Sequence, residues 1–511
     1  MYASFRKKNI NLLGLSNHIY NIQTGVYDDV VDQNGNKLDF AKQKSYFKDG
    51  DVSRAGTKED GTMIYELTEN GKNTVLILEA GGKDRNFFIH MPSGYSQIVP
   101  TKSNLNYAFE TEPESTTSNR KLYWPRGRGW GGSSSINAMI YIRGHAHDYD
   151  LWRQMGNSGW SYDDVLPYFK KAESFNGDGD KDYHGFDGPL NVKKSERTDD
   201  ELLDVYVEAG KQAGFPITKD FNGENQEGIG FYQCTQKNGK RCSTAKAYLV
   251  PILDRDNLTV MTDTNINRII IENNKAVGVE CINKDGKYFT VNTNKEVLLS
   301  SGAFGSPQIM LRSGIGPAEE ILKHDIEHQH DLPGVGKNLQ DHIDYLTVHR
   351  YNSMELIGMS LKSIFFKFPF EILKYIFAKT GLFTSTIAEA GGFIKSNEEK
   401  DIQDIQLHFI PTMVVDHGRT QLWGHGLGCH MCLLRPRSRG EVTLNSSDPF
   451  EDPNIDPKFL SHPDDMQDMI AGYKQMMAIL NKESFSKYTS CLLYTSPSPR
   501  DRTRSRMPSS A

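Results

Sequence analysis

The sequence predicts an α/β protein (α+β in its two-domain arrangement), with a parallel sheet in the first domain and a mainly antiparallel sheet in the second. Residues 74–80 form an unbroken apolar run that is followed by two glycines. Residues 127–144 are rich in glycine and serine and lead into another apolar run. After residue 345, residues 389–394, 404–409 and 435–440 resemble strands of a separate sheet. At 511 residues, the chain is long enough to bury the cores of both domains.

The apolar run at residues 74–80 predicts the second strand of a dinucleotide-binding βαβ unit. Continuous apolar strands belong to parallel sheets that are covered on both faces. A carboxylate at the end of such a strand binds the ribose hydroxyls of an adenine dinucleotide, and Glu79 fits this role. A strand that ends in glutamate is weak evidence by itself, but Gly81 and Gly82 directly after it favour the binding interpretation.

The glycine turn that should precede this strand is missing. A Gly-x-Gly-x-x-Gly turn holds the pyrophosphate at a helix N-terminus. Upstream of Glu79, Gly56 and Gly61 have the wrong spacing, and no apolar strand precedes them. We therefore interpret residues 1–61 as an atypical N-terminus of uncertain origin, and residues 62–345 as a dinucleotide-binding domain that lacks its first glycine unit.

Residues 127–144, GRGWGGSSSINAMIYIRG, are the most informative segment of the chain. Glycine lets the backbone approach a ligand closely, and consecutive small residues expose N–H donors to anionic oxygens. The segment therefore suits a bulky cofactor whose pyrophosphate lies across it. An ordinary glycine–serine loop is the alternative, which the ordered flanks at Arg126 and Arg143-Gly144 disfavour.

Along its whole length this segment resembles the first signature of the glucose–methanol–choline (GMC) oxidoreductase family. Residues 302–316, GAFGSPQIMLRSGIG, resemble the family's second signature, and the resemblance covers roughly residues 62–488. It implies a Rossmann-like FAD-binding domain and a substrate-binding domain at residues 346–489. The residues that the resemblance implies to contact FAD are Glu79, Arg128, Gly131, Gly132, Ser133, Asn137, Ala138, Met139, Ile140, Ile266, Gly302 and Ala303.

Within the first signature, Ile136 stands where relatives with a covalently attached flavin carry a histidine. The resemblance therefore implies that FAD is bound non-covalently.

Segments of the second domain near Glu389 and Asp416 are very similar to the branch of the family that oxidises choline. Choline has a fixed positive charge and no N–H donor, so its site must offer a carboxylate and aromatic faces. Glu389 takes the place of the carboxylate that faces the trimethylammonium group; a solvated acid at a strand end is the alternative. The resemblance implies oxidation of choline to betaine aldehyde, the step that leads to glycine betaine. Oxidation of another alcohol, or a catalytically incomplete fragment, are the alternatives.

The catalytic base is not identified in this sequence. In the family, a histidine late in the chain and within a His-Pro segment acts as the base. His462-Pro463 lies too early, at the start of a helix, and no histidine follows it. We therefore expect the base beyond the truncated end of the substrate domain, and no turnover by the chain as written.

The last residues, SCLLYTSPSPRDRTRSRMPSSA, change abruptly in composition to serine, proline and arginine. We interpret residues 490–511 as a non-native tail, with a disordered native tail as the alternative.

The composition of the chain limits the classes of binding partner and the cellular compartment that we expect. A net charge of −6 gives no reason to expect nucleic-acid binding. Six scattered cysteines indicate a reducing, intracellular compartment. The segment at residues 429–432, Cys-His-Met-Cys, has metal-ligand spacing but no second pair, so we expect a buried strand and no metal site. No apolar run is long enough for a transmembrane helix.

Residues 361–383 indicate contact with a membrane surface. They combine phenylalanine and isoleucine with four lysines, which suits the headgroup boundary. A helix packed over the substrate entrance is the alternative, and Pro369 should interrupt any long helix. The resemblance implies a small-molecule alcohol as substrate and an electron acceptor such as a quinone pool. It also predicts a mitochondrial location, with the inner membrane as the surface contacted.

Overall fold

The computed structural model describes residues 66–195, 201–351, 357–488 and 491–495, together with three short N-terminal strands. These strands are Ala3–Arg6, Tyr20–Asn21 and Val26–Tyr27. The interpretations of residues 1–61 and 490–511 fall almost entirely outside the described residues, and they remain predictions. The domain boundaries at 62, 345 and 489 also remain predictions.

The dinucleotide-binding part is built on the parallel pairing of Val75–Leu78 with Leu258–Met261, as the apolar run predicted. Next to it, Thr264–Glu272, Lys275–Asn283 and Tyr288–Asn292 form an antiparallel three-stranded sheet. The strand Glu296–Leu299 then leads into the helix Gly302–Arg312. Leu78, Ile266, Leu299 and Ile309 share one hydrophobic cluster, so the helix packs on the strands that carry Glu79 and Ile266.

The same part contains the helix Tyr162–Ala172. Ser161 caps it and forms a capping box with Asp164. Beside this helix lies a small four-stranded sheet in the spatial order Ile140–Tyr141, Gln233–Cys234, Leu190–Lys194 and Glu173–Asn176.

The substrate-side part is an antiparallel seven-stranded sheet, as predicted. Its main strands, in spatial order, are Gly228–Phe231, Ala390–Ile394, Ile405–Ile410, Gly424–Leu433, Asp344–Arg350 and Cys491–Thr495, and Gly358–Met359 pairs with Gly424–Leu433. The strand Gly228–Phe231 comes from the segment before residue 345, so the sheet draws on both sides of the predicted boundary.

The two faces of this sheet differ because side chains alternate along a strand. In the strand Ile405–Ile410, Ile405, Leu407 and Phe409 are buried in the largest hydrophobic cluster. The helices Glu201–Gln212, Pro463–Leu480 and Glu483–Ser486 contribute to the same cluster. The opposite face carries polar side chains, among them Gln406 and His408.

The expectation of a strand at residues 435–440 is wrong. The strand begins only at Gly440 and runs to Thr443, pairing with Lys337–Leu339 and Asn454–Asp456. Pro436 has no backbone N–H to donate to a neighbouring strand. The backbone N–H groups of Arg437 and Ser438 donate instead to the carboxylate of Asp465, at 2.8 and 2.9 Å.

Pro369 does not interrupt the helical segment near residues 361–383, contrary to the sequence prediction. A π-helical turn, Ser363–Lys367, continues directly into the α-helix Phe368–Ala378. Pro369 is the second residue of that α-helix, a position where a missing N–H costs little. Within the ranges given above, no helix is both long enough and apolar enough to cross a membrane.

The remaining helices and strands are short and connect these layers. The α-helices are Phe87–His90, Tyr95–Ile98, Ala146–Gln154 and Ala318–Leu322. The strands are Phe109–Glu110, Tyr123–Trp124, Gln236–Lys237, Lys240–Arg241, Ile315–Gly316 and His330–Asp331.

Candidate cofactor and substrate site

Glu79 lies at the end of its parallel strand and ties two glycine segments together. Its Oε1 accepts hydrogen bonds from the backbone N–H of Gly81 at 2.7 Å and of Gly129 at 2.9 Å. A Cβ on Gly81 would lie 2.4 Å from the backbone nitrogen of Gly129, so only glycine permits this approach. The strand end and the glycine-rich segment are thus in direct contact.

Ile266 and Gly302 lie on elements that adjoin the same strand end. The backbone N–H of Thr264 donates to the carbonyl of Glu79 at 3.0 Å, and Ile266 follows two residues later. Gly302 begins the helix that packs on this strand, and Ser301 provides no side-chain cap for it. Gly302 has a φ of 77°, and a Cβ added there would meet nothing within 4 Å. Gly302 and its neighbour Ala303 are exposed at the open helix N-terminus.

The glycine-rich segment forms a tight turn with an open side. Gly131 has a φ of 85°, and a Cβ there would lie 2.5 Å from Ser135 Oγ. Gly132 has a φ of 50°, yet a Cβ there would meet nothing within 4 Å. Ser133 Oγ accepts the backbone N–H of Gly127 at 3.1 Å, which closes the turn. Gly131 is therefore needed for packing, whereas Gly132 faces free space.

Arg128 and Trp130 place two buried donors in this turn. Arg128 Nη2 donates to the carbonyl of Ala80 at 3.2 Å, and its guanidinium lies 5.6 Å from the centre of the Tyr107 ring. Arg128 Nε and Trp130 Nε1 are buried and have no hydrogen-bond partner among the described residues. Unpaired buried donors are costly, so these two positions point to an acceptor that binds there.

At the far end of the glycine-rich segment lies Arg241, which the sequence analysis did not assign. Its Nη1 donates to the side-chain oxygen of Asn137 at 2.7 Å and to the carbonyl of Ser134 at 3.1 Å. Its Nη2 is buried and has no described partner. Burial lowers the pKa of Arg241 to about 10, and the negative charge of an ionised Tyr95 would oppose this shift.

Met139 shapes the backbone after Asn137. It is buried and has a φ of 61°, and its N–H donates to Asn137 Oδ1 at 3.0 Å. Its carbonyl accepts the N–H of Thr235 at 2.9 Å. Ala138 is half-buried between Asn137 and Met139, and Ile140 begins the strand that pairs with Cys234.

Glu389 is 1% exposed at the start of the strand Ala390–Ile394. Its Oε1 accepts a short hydrogen bond from Ser385 Oγ and one of 2.9 Å from the N–H of Thr386. Its Oε2 is buried without a hydrogen-bond partner in the described chain. A buried carboxylate oxygen without a partner costs free energy, which a bound cation would offset.

Two tyrosines lie close to Glu389. Tyr95 Oη donates to the carbonyl of Thr386 at 2.9 Å, and burial followed by the charge of Glu389 raises the pKa of Tyr95. The N–H of Tyr232 donates to the carbonyl of Glu389 at 2.8 Å. Tyr95 is also close enough to Arg241 for an ionised Tyr95 to influence the pKa of that guanidinium.

The polar face of the seven-stranded sheet carries a cluster that the sequence analysis missed. His430 Nδ1 makes a short hydrogen bond to Asp344 Oδ2, and His408 lies opposite His430 on the neighbouring strand. Burial and the charge of His430 lower the pKa of His408 to about 4, although the charge of Asp344 opposes this shift. Burial alone would lower the pKa of His430, but Asp344 outweighs it and raises that pKa.

His408 and His430 are half-buried on this face, and Asp344 is exposed. Burial is nevertheless the largest influence on the pKa of each of these three side chains. The spacing of polar residues by two, as in Gln406 and His408, could have indicated this face from the sequence.

Two further motifs from the sequence lie on regular elements. Residues 429–432 lie within the buried strand Gly424–Leu433, as predicted. No group of three or more potential metal ligands occurs in the residues that the structure describes. His462 is the N-cap of the helix Pro463–Leu480, where its side chain accepts the N–H of Asp464, so it has the structural position expected for it.

Comparison with known proteins identifies the family. The N-terminal model of the GMC oxidoreductases matches residues 66–344, and the C-terminal model matches residues 436–509. The chain belongs to the GMC oxidoreductase family.

Curated relatives are similar over most of their length. An "Alcohol dehydrogenase [acceptor]" of Pseudomonas putida is 44% identical over 83% of this chain and 77% of its own. An oxygen-dependent choline dehydrogenase of Escherichia coli is 42% identical over 83% of this chain and 77% of its own. The mitochondrial choline dehydrogenase of Mus musculus is 40% identical over 83% of this chain and 72% of its own.

Solved structures of the family share the fold. A formate oxidase is 26% identical with a TM-score of 0.77, covering 84% of this chain and 81% of its own. A pyridoxine 4-oxidase from Mesorbium loti is 23% identical and has a TM-score of 0.73, covering 85% of this chain and 80% of its own. The predicted architecture, a Rossmann-like FAD-binding domain with a substrate domain, is confirmed.

The protein is therefore an FAD-dependent GMC oxidoreductase that acts on alcohols. Its residues fit an anionic dinucleotide, because three buried donors lack partners along the glycine-rich segment: Arg128 Nε, Trp130 Nε1 and Arg241 Nη2. Gly132 and Gly302 leave open space beside them. Ile136 packs with Ile89 and Ile98. The prediction that FAD is bound non-covalently rests on this apolar side chain.

Proposed function

We propose that this protein oxidises choline to betaine aldehyde. The observation that carries the proposal is Glu389, a buried carboxylate that lies near Tyr95 and has one oxygen without a partner in the described chain. A quaternary ammonium ion offers no N–H, so it is recognised by negative charge and aromatic faces rather than by hydrogen bonds. The choline dehydrogenases of E. coli and mouse, 42% and 40% identical, support this substrate.

The neighbouring histidine also suits a cation. The low pKa of His408 keeps its ring neutral at pH 7, so it adds no positive charge to the polar face of the sheet. Asp344 neutralises His430 on the same face. This face of the sheet therefore does not repel a substrate that carries a fixed positive charge.

We propose that the twelve residues that the family resemblance implies hold FAD beside the glycine-rich segment. Glu79 would bind the adenosine ribose, and Arg128 and the N–H groups near Gly132 would face the pyrophosphate. Asn137, positioned by Arg241, would lie toward the flavin end. Bound there, FAD would supply the acceptor for the hydride of the carbinol carbon, and the hydroxyl proton would go to a base. No residue is assigned to the role of that base.

Oxidation of another alcohol is the second candidate. The P. putida relative, 44% identical, is named only as an alcohol dehydrogenase that uses an acceptor. In that case, the carboxylate of Glu389 would accept the hydrogen bonds from Ser385 and Thr386 and would not contact the substrate. The electron acceptor, such as a quinone, and the mitochondrial location remain predictions. A role in glycine betaine synthesis also remains a prediction.

Comparing choline with its uncharged carbon isostere, 3,3-dimethylbutan-1-ol, tests the proposal. In wild type, we expect kcat/KM to favour choline. In Glu389→Gln, kcat/KM for choline should fall by about tenfold or more, because a buried charge partner is lost. The value for the isostere should stay within about threefold, which makes it an internal control for folding.

Equal losses on both alcohols would contradict substrate recognition by Glu389. Preference of the wild type for the uncharged alcohol would favour the second candidate. Bound FAD without turnover of any alcohol would support the alternative of a catalytically incomplete chain.

A further inference from the structure

The helical segment at residues 361–379 presents large apolar side chains to solvent. Phe366 is 76% exposed and Phe377 is 83% exposed, and Phe365, Phe370, Leu373 and Ile376 are between 45% and 68% exposed. We refer to these six side chains as the apolar helix surface. Soluble monomers rarely expose contiguous apolar surface of this kind without a partner.

The opposite side of the segment is fixed to the protein. Tyr375 is buried, its Oη donates to the carbonyl of His90 at 3.3 Å, and its ring lies 6.0 Å from that of Phe87. Phe370, Leu373 and Phe377 recur at helical spacing on the other face. The helix is therefore anchored by its inner face, with its most apolar side chains directed outward.

The charge around this surface is positive. Residues 361–379 contain four lysines and one glutamate. Lys362 and Lys374 are exposed, and Lys367 and Lys379 are half-buried. Glu371 is engaged with Lys374 Nζ at 2.7 Å and with the N–H of Leu382 at 2.7 Å. An anionic partner would thus meet lysines without facing a free carboxylate in this segment.

We propose that the apolar helix surface docks onto an anionic lipid bilayer. Phenylalanine and leucine would enter the boundary between headgroups and acyl chains, and the lysines would contact anionic headgroups. A second copy of the chain fits less well, because two such surfaces would bring lysines against lysines.

The docking surface leads directly to the candidate substrate carboxylate. The helix ends at Ala378, and the turn Leu382–Thr384 follows it. The next two residues, Ser385 and Thr386, hold Oε1 of Glu389. Docking would therefore place the membrane beside the segment that shapes the substrate site; this last consequence rests on the proposed function, whereas the docking itself does not.

Vesicle flotation of the FAD-loaded full chain tests the proposal. Vesicles of phosphatidylcholine with about one third phosphatidylserine should bind the protein more tightly than phosphatidylcholine alone. The double variant Phe366→Glu/Phe377→Glu should weaken binding by about tenfold or more, because apolar burial is replaced by charge repulsion. Lys362→Gln and Lys374→Gln should each weaken binding to the anionic vesicles by about fivefold.

Matched controls are available on other elements. Tyr288 and Phe450 are 60% and 59% exposed, and Tyr288→Glu/Phe450→Glu should leave vesicle binding unchanged. Retained FAD absorbance and an unchanged melting temperature would show that each variant is folded. Absence of wild-type binding, or equal losses in both double variants, would overturn the proposal. So would concentration-dependent dimerisation that depends on Phe366 and Phe377 in the absence of vesicle binding.

Discussion

The backbone N–H of Gly129 donates a 2.9 Å hydrogen bond to Oε1 of Glu79, a residue fifty positions earlier in the chain. The same oxygen accepts the N–H of Gly81. The carboxylate therefore joins the end of the parallel strand to the glycine-rich segment. Any ligand that binds Glu79 lies at the junction of these two elements, as an adenine dinucleotide would.

Replacing Glu79 by Gln should weaken FAD binding more than it destabilises the protein. The amide oxygen can still accept the N–H groups of Gly81 and Gly129, but the charge and one acceptor are lost. Each charge-assisted hydrogen bond to a ribose hydroxyl contributes about 1.5–3 kcal/mol. Titration calorimetry of the apoprotein with FAD measures the change, and Glu69→Gln, at an exposed helix position, is the control. Unchanged affinity in Glu79→Gln would remove Glu79 from the cofactor site.

Gly132→Ala should reduce FAD affinity because its Cβ would enter the open space beside the glycine-rich turn. Gly156 is a matched control, since it too has a positive φ, 97°, and a Cβ there would also meet nothing within 4 Å. Both substitutions should cost about 1 kcal/mol of stability from backbone strain. Only Gly132→Ala should also release FAD, as measured by fluorescence of the freed flavin. Equal retention in both variants would show that the space beside Gly132 is not the cofactor's.

The sequence predicted those parts of the site that are local in the chain. The strand before Glu79 and the glycine-rich segment are continuous patterns, and the structure places them in contact. Arg241 could not be found in this way, because its role arises from contacts with Asn137 and Ile89 that are more than one hundred residues distant. Single buried charges carry no periodic signal.

Errors in the fold prediction have similar causes. Residues 435–440 looked like a strand, but Asp465 of a later helix takes the backbone N–H groups of Arg437 and Ser438. Pro369 was expected to break a helix, but it follows a π-helical turn and sits where no N–H is required. In both cases a tertiary or local backbone arrangement outweighed the intrinsic preference of one residue type.

Asp344→Asn should lower the pKa of His430. Burial alone lowers that pKa, and the charge of Asp344 with its hydrogen bond raises it, so removing the charge leaves the lowering effect of burial. Titration of the histidine ring signals by NMR, with the His430 signal assigned by its loss in His430→Gln, measures the change. If turnover requires protonated His430, the alkaline limb of the pH–rate profile should move to lower pH in Asp344→Asn. An unchanged His430 titration would mean that the short hydrogen bond does not persist in solution.

The buried network around His184 should make stability depend on pH above neutrality. His184 Nε2 contacts Asp220 at 2.7 Å and its Nδ1 contacts Glu173 at 3.0 Å, while Arg143 lies 2.7 Å from the same Glu173 carboxylate. Burial alone would lower the pKa of His184, but its bonds to Asp220 and Glu173 outweigh burial and raise it to about 9. The protonated ring therefore favours the folded state.

The sign and the pH window of this effect follow from the raised pKa. The contribution of His184 is fully present below the unfolded pKa of about 6.5 and is lost as pH rises through about 9. It should amount to about 2–4 kcal/mol, since each tenfold gain in proton affinity on folding corresponds to about 1.4 kcal/mol. Burial alone would raise the pKa of Asp220, but its hydrogen bond to His184 outweighs burial and lowers that pKa. Asp220 therefore stabilises the folded state above its unfolded pKa, and this stabilisation is lost in acid.

Denaturant melts at pH 6.5 and 9 should thus show a decrease in the wild type's free energy of unfolding. That decrease should be much smaller in Asp220→Asn and unaltered in the exposed control His147→Gln. An equal decrease in wild type and Asp220→Asn would show that His184 is not protonated in the folded protein at neutral pH.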